Sequence, residues 1–219
     1  MRWLALTVTI LALCVSAAPY PIYKIAAYSS APFSAVVADT DNDGGNDIIT
    51  LAKNGGDSTV YFLENQPTMG FGRIWVGYEV DPIGHDYALY AADLDSANYL
   101  DIVHSNGAGY LNGGSSDNWT SFTIDPENTI VVKGAADINA DGDEDVIYEA
   151  SNRGGWYENA GNGTNWTAHA DTFGHVPITA LDVDGDHDWD VFTYIDNFGA
   201  PDHFYIAENT DGSGGSWNE

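Results

Sequence analysis

The sequence is poor in cysteine and in positive charge. One cysteine, Cys14, occurs in 219 residues, so no intrachain disulfide can staple the fold. Six Lys and Arg stand against 33 Asp and Glu, for a net charge of −27. That imbalance excludes the clustered basic residues by which nucleic acid or an anionic membrane surface is bound, and it favours a cation as partner. No segment shows sustained helical periodicity with caps. The six histidines, His85, His104, His169, His175, His187 and His203, form neither H-x-H nor H-E-x-x-H. A nucleophile elbow and a phosphate-cradling glycine motif are also missing, so no signature of catalysis is present. Apolar residues are not lacking: they make up 44%, with 13% aromatics, enough for a core and too many for a disordered chain.

The chain opens with "MRWLALTVTILALCVSAAPYP". Arg2 precedes an apolar run from Trp3 to Val15, and Ser16-Ala17-Ala18 supply small residues. This pattern predicts a signal peptide over 1–18, and hence a secreted, extracellular protein. The run is short for a membrane span, so no membrane insertion is expected. Cys14 leaves with the peptide, and a secreted domain without disulfides must find stability elsewhere, for example in bound metal. Asn118-Trp119-Thr120, Asn162-Gly163-Thr164 and Asn165-Trp166-Thr167 are N-glycosylation sequons, which would make the product a glycoprotein in a eukaryotic secretory route.

The rest of the chain repeats. Four segments align: "DTDNDGGNDII" (39–49), "DLDSANYLDIV" (93–103), "DINADGDEDVI" (137–147) and "DVDGDHDWDVF" (182–192). Their starts are 54, 44 and 45 residues apart, and 17 of the 33 acidic residues fall in their first nine positions. A small apolar run precedes each loop, as in "SAVVA" or "PITAL", and a β-rich run follows, as in "DIITL". Next comes an aromatic strand ending in asparagine ("VYFLEN", "GYLN", "GWYEN", "FYIAEN"), then a Gly/Asn loop and a tryptophan: Trp75, Trp119, Trp166, Trp217. Each unit thus reads as four short strands, and the period matches a blade of a β-propeller. The expected fold class is all-β, a β-propeller of about four blades over 19–219, either a small closed ring or an arc of a larger one. The recurring tryptophans read as packing between blades.

In the first loop Asp39, Asp41, Asp43 and Asp47 occupy positions 1, 3, 5 and 9, with glycine at position 6 for a sharp turn. Alternate positions of a curled loop can converge on one point, and the Gly45 carbonyl at position 7 can join them. Hard oxygen ligands in this number suit Ca2+. An EF-hand is excluded: it needs glutamate at position 12 and flanking helices, whereas position 12 here is Thr50, His104, Tyr148 or Thr193.

These features resemble the FG-GAP/VCBS repeats of extracellular β-propellers, the type found in integrin α-subunit heads. The matching residues are the D-x-[DN]-x-D-G-x-x-D loops, the strand "GWYEN" (155–159) and "GAP" (199–201). The resemblance implies calcium at positions 1, 3, 5, 7 and 9 of each loop. In the third loop these are Asp137, Asn139, Asp141, the Asp143 carbonyl and Asp145. In the fourth they are Asp182, Asp184, Asp186, the Asp188 carbonyl and Asp190, with the Asp188 side chain left free and His187 in place of glycine. The second loop keeps only Asp93, Asp95 and Asp101, with Ala97 and Asn98 at positions 5 and 6, so a weak or lost site is expected there.

Three functional readings follow. One is a non-catalytic binding or adhesion module, stiffened by calcium, that presents loops to an extracellular protein or glycan. Another is a secreted polysaccharide-active enzyme working in the propeller mouth; a structural piece of a larger extracellular protein is a third. An N-terminal strand around Ile22 to Tyr28 could complete the last blade, and an unclosed propeller could self-assemble.

Overall fold

A computed structural model describes residues 25–27, 32–53, 57–66, 75–83, 87–127, 129–195 and 203–218. The signal segment, the "GAP" run and His85 lie outside these residues. So does the expected closing strand at 22–28, except for 25–27, which belong to no strand.

Among the described residues, sixteen strands make four antiparallel sheets of four, each a meander in chain order. The first sheet holds β1 (Ser34–Ala38), β2 (Asp47–Lys53), β3 (Ser58–Asn65) and β4 (Trp75–Pro82). The second holds β5 (Leu89–Ala92), β6 (Asp101–His104), β7 (Ala108–Asn112) and β8 (Trp119–Thr123). The third holds β9 (Val131–Ala136), β10 (Asp145–Ala150), β11 (Arg153–Asn159) and β12 (Trp166–His169). The fourth holds β13 (Val176–Leu181), β14 (Asp190–Ile195), β15 (His203–Asn209) and β16 (Trp217–Asn218). Each sheet has the form of a propeller blade, so the all-β, blade-repeat architecture is as the spacing predicts. Among the described residues there is no helix, and so none that could cross a membrane.

The chain divides into two compact units. One spans residues up to 89 together with 114–119; the other spans 90–113 and 120–219. In the first, β2 and β3 are buried along nearly their whole length, and Phe62 stacks on Tyr78 and meets Trp119 edge-on. In the second, β10 shows why its sequence alternates without polar gaps. Val146 and Tyr148 point to a cluster with Leu94, Val103, Phe122 and Val132. Ile147, on the opposite face, joins Ile138, Trp156, Phe173 and Val191. The third blade is thus buried on both sides between the second and the fourth.

Three of the four recurring tryptophans pack against an aromatic ring with the indole N–H satisfied; the Trp75 indole N–H is buried without a partner. Trp119, Trp166 and Trp217 each donate the indole N–H to the carbonyl three residues back, at 2.8–3.3 Å. Their rings lie against Phe62, Phe122 and Phe173. Satisfying the indole N–H locally lets a large ring be buried without a polar penalty.

Candidate metal centres

Every loop begins where the first strand of a blade ends and stops where the second begins, so a β-hairpin sets its span. The ninth residue starts the second strand and is fully buried: Asp47, Asp101, Asp145 and Asp190. An isolated buried carboxylate is costly unless hydrogen-bonded. Each one is bonded the same way. One oxygen accepts the main-chain N–H of the second loop residue, Thr40, Leu94, Ile138 or Val183, at 2.8–3.1 Å. The other accepts the main-chain N–H of the asparagine ending the third strand, Asn65, Asn112, Asn159 or Asn209, at 2.7–2.9 Å. The ninth aspartate is therefore a latch between loop and sheet, whatever else it binds.

The turn itself depends on two left-handed residues in each loop. Position 6 has φ of +89° at Gly44, +64° at Asn98, +96° at Gly142 and +77° at His187. Position 4 is left-handed too: Asn42 (+60°), Ser96 (+58°), Ala140 (+56°) and Gly185 (+85°). Side chains at positions 3 and 5 bond main-chain N–H groups two residues on. Asp41, Asp95, Asn139 and Asp184 cap position 5, and Asp43, Asp141 and Asp186 cap position 7. In the first three loops the leading aspartate reaches across to the N–H of position 6, at 2.9–3.1 Å. In the fourth, Asp182 instead takes the N–H of Gly185, at 2.7 Å. There, His187 is exposed, with its Nδ1 3.7 Å from Asp182.

Among the described residues, three sets of carboxylates converge to within 4.8 Å: Asp39, Asp41 and Asp43; Asp93, Asp95 and Asp101; Asp182, Asp184 and Asp190. The second loop thus gathers its three carboxylates despite Ala97 and Asn98. Asp47 and Asp186 stand outside these sets. In the third loop the Asn139 amide donates to Asp141 at 2.9 Å, while Asp137 accepts the N–H groups of Asp141 and Gly142.

Two oxygens bear on what the sets could hold. Oδ1 of Asp39 and Oδ1 of Asp93 are buried and have no hydrogen-bond partner. A buried, unpaired carboxylate oxygen beside two more carboxylates calls for a cation. All donors are oxygens, which fits calcium rather than a softer metal. Mutual repulsion and burial show in the acidities. Burial, with Asp47 next, raises Asp41 to about 6. Burial raises Asp101 and Asp145 to about 7 against their main-chain hydrogen bonds. At position 7, Gly45 is buried and its N–H bonds Asp43, while the Asp143 side chain accepts the Ser96 hydroxyl at 3.0 Å. The Asp188 side-chain Oδ1 is buried without a partner, and burial and Asp186 raise its carboxyl to about 6.

Sequence reasoning passed over two features. The left-handed position 4 has no common residue type, so composition does not mark it. The strand-ending asparagine is visible as a repeat, but its bond to the ninth aspartate of its own loop, and the reach of Asn159 and Asn209 into the preceding loop, arise only in the fold.

Residues 137–193, from the third loop into β14, match the family model of the FG-GAP-like repeat. No curated protein matches the chain.

Proposed function

We propose that the protein is a secreted, calcium-stabilised module of propeller blades that binds an extracellular protein or glycan without catalysis. The observation that carries the calcium reading is the pair of buried, unpartnered oxygens on Asp39 and Asp93, each within a converging carboxylate set. The repeat match at 137–193 supports the blade-module reading. Asp39, Asp41 and Asp43 would hold an ion in the first loop, Asp93, Asp95 and Asp101 in the second, and Asp182, Asp184 and Asp190 in the fourth. In the third, Asp137, Asp141 and the side-chain oxygen of Asn139 would serve.

Calcium supplies positive charge that offsets carboxylate repulsion. The residues do the remaining work: left-handed positions 4 and 6 curl the loop, and the ninth aspartate fixes it to the sheet. Extracellular modules bind calcium at ~10⁻⁴–10⁻³ M, which at millimolar calcium contributes roughly 0.4–1.4 kcal/mol per site by mass action. Several sites would contribute a few kcal/mol, a useful share of a typical ~5–15 kcal/mol total.

Melting the protein in millimolar calcium and in excess chelator tests the metal. The melting temperature should fall with chelator and recover with calcium; one unchanged curve contradicts the reading. A glycan array paired with a reducing-sugar release assay tests the binding role. Retention without release is expected, and sugar release would favour an enzyme.

A further inference from the structure

The latches of the second, third and fourth loops are not independent. Asn209 gives its main-chain N–H to Asp190 at 2.9 Å and its side-chain amide to the Ile138 carbonyl at 3.0 Å. Ile138 is the second residue of the third loop, and its own N–H goes to Asp145 at 3.0 Å. The other oxygen of Asp145 accepts the N–H of Asn159 at 2.8 Å. The Asn159 side-chain amide then reaches the Leu94 carbonyl at 2.7 Å, and the Leu94 N–H reaches Asp101 at 2.8 Å. One chain of hydrogen bonds therefore runs from Asp190, in the fourth carboxylate set, through the third loop, to Asp101, in the second set. All seven residues are at most 1% exposed, so water does not compete for these bonds. The orientation of Asn159 is fixed by its neighbours. Its carbonyl oxygen accepts the N–H groups of Gly161 and Gly163, and its amide donates to Leu94 and Glu144.

We propose that Asn159 and Asn209 are positioning residues that make cation binding cooperative among the second, third and fourth loops. The inference rests on the calcium reading above. An ion held by Asp182, Asp184 and Asp190 fixes Asp190, and through Asn209 it fixes Ile138. The third loop is then partly ordered before its own ion arrives. Ordering already present lowers the entropy cost of the next binding event, which is positive coupling. Asn159 repeats the step toward the second loop, whose position 5 lacks a carboxylate and gains most from being held.

The test is a calcium isotherm of the full chain with Asp184→Ala, which removes a ligand from the fourth set and leaves the relay intact. Coupling of the usual size predicts that the remaining sites weaken by about fivefold or more. In an Asn209→Asp background, which keeps an acceptor for the Gly214 N–H but loses the donor to Ile138, the same change should weaken them by less than about twofold. Equal weakening in both backgrounds, or none in either, overturns the relay alone. Absence of calcium binding by the unaltered chain overturns both the relay and the calcium reading. Should Asn209→Asp fail to fold, hydrogen exchange on Asp184→Ala decides. The Ile138 amide should exchange about fivefold faster than in the unaltered chain in calcium, and equal protection overturns the proposal.

Discussion

The loops at 93–101 and 182–190 differ in opposite ways from a full ligand set. The first lacks the acid at position 5 and the glycine at position 6, and with them the cap on position 7, yet its latch, leading-aspartate and position-3 hydrogen bonds copy those of the loop at 39–47. The second has an aspartate at every odd position, yet Asp182 shifts its bond from position 6 to position 4. The number of carboxylates therefore does not decide how a loop closes. Closure follows from the two left-handed residues and the latch aspartate. The side chains at positions 1 and 3 also bond turn N–H groups in every loop, whereas the acid at position 5 is dispensable for closure and bears on how well the loop holds a cation.

Removing the latch from either loop should have the largest effect. Asp101→Ala and Asp190→Ala each strand two main-chain N–H groups. At ~1–3 kcal/mol per unsatisfied group, either should lose about 2–6 kcal/mol in chemical denaturation without calcium. A loss under about 1 kcal/mol in either loop would mean the latch is dispensable there.

Acidity comes next. Asp101 and Asp145 titrate in the fold at about 7, above the ordinary 3.8 of an unfolded aspartate. Between those values the fold holds more protons than the unfolded chain, so stability in chelator should fall as pH rises from about 4 to 7. Each raised carboxyl contributes up to about 1.4 kcal/mol per pH unit. Calcium, which needs the ionised forms, should recover stability near pH 7.5 and lose hold toward pH 5. Stability in chelator that rises across this range would contradict the burial assigned to both latches.

Smaller changes test the rim. Ala97→Asp supplies the missing acid, and the second loop should bind calcium on the order of tenfold more tightly, read by isotherm, without change in the chelated protein's fold. An unaltered affinity would show that position 5 does not face the ion. His187→Gly relieves a left-handed side chain at φ +77° but adds freedom to the unfolded chain, so a gain of about 0.5 kcal/mol is expected in chelator. A loss would mean that the His187 contact with Asp182 outweighs the strain.

The blades and loops could be read from the sequence because each depends on local pattern. Alternation marks the strands, and aspartates at fixed spacing mark the turns. The role of the ninth aspartate could not be read in full. Its spacing marks a ligand, whereas its two main-chain bonds arise only when the third strand brings an asparagine beside it. Ala140 at φ +56° carries no signal at all; the turn imposes that conformation. The relay through Asn159 and Asn209 joins residues 65 and 71 apart in sequence, and only the packing of one blade on the next creates it. Exposure was illegible for the same reason: Leu94 and Ile138 are fully buried by the following blade, while Val183, in the same place in the fourth loop, is 47% exposed.

If the aspartate loops hold calcium, the ions should travel with the folded chain. Equilibrium dialysis of the full chain at millimolar calcium, with the bound metal counted by atomic absorption, tests it most directly. At least three ions per chain are expected, one for each converging carboxylate set, and they should leave on chelation. A chain that retains no calcium after dialysis would contradict the account.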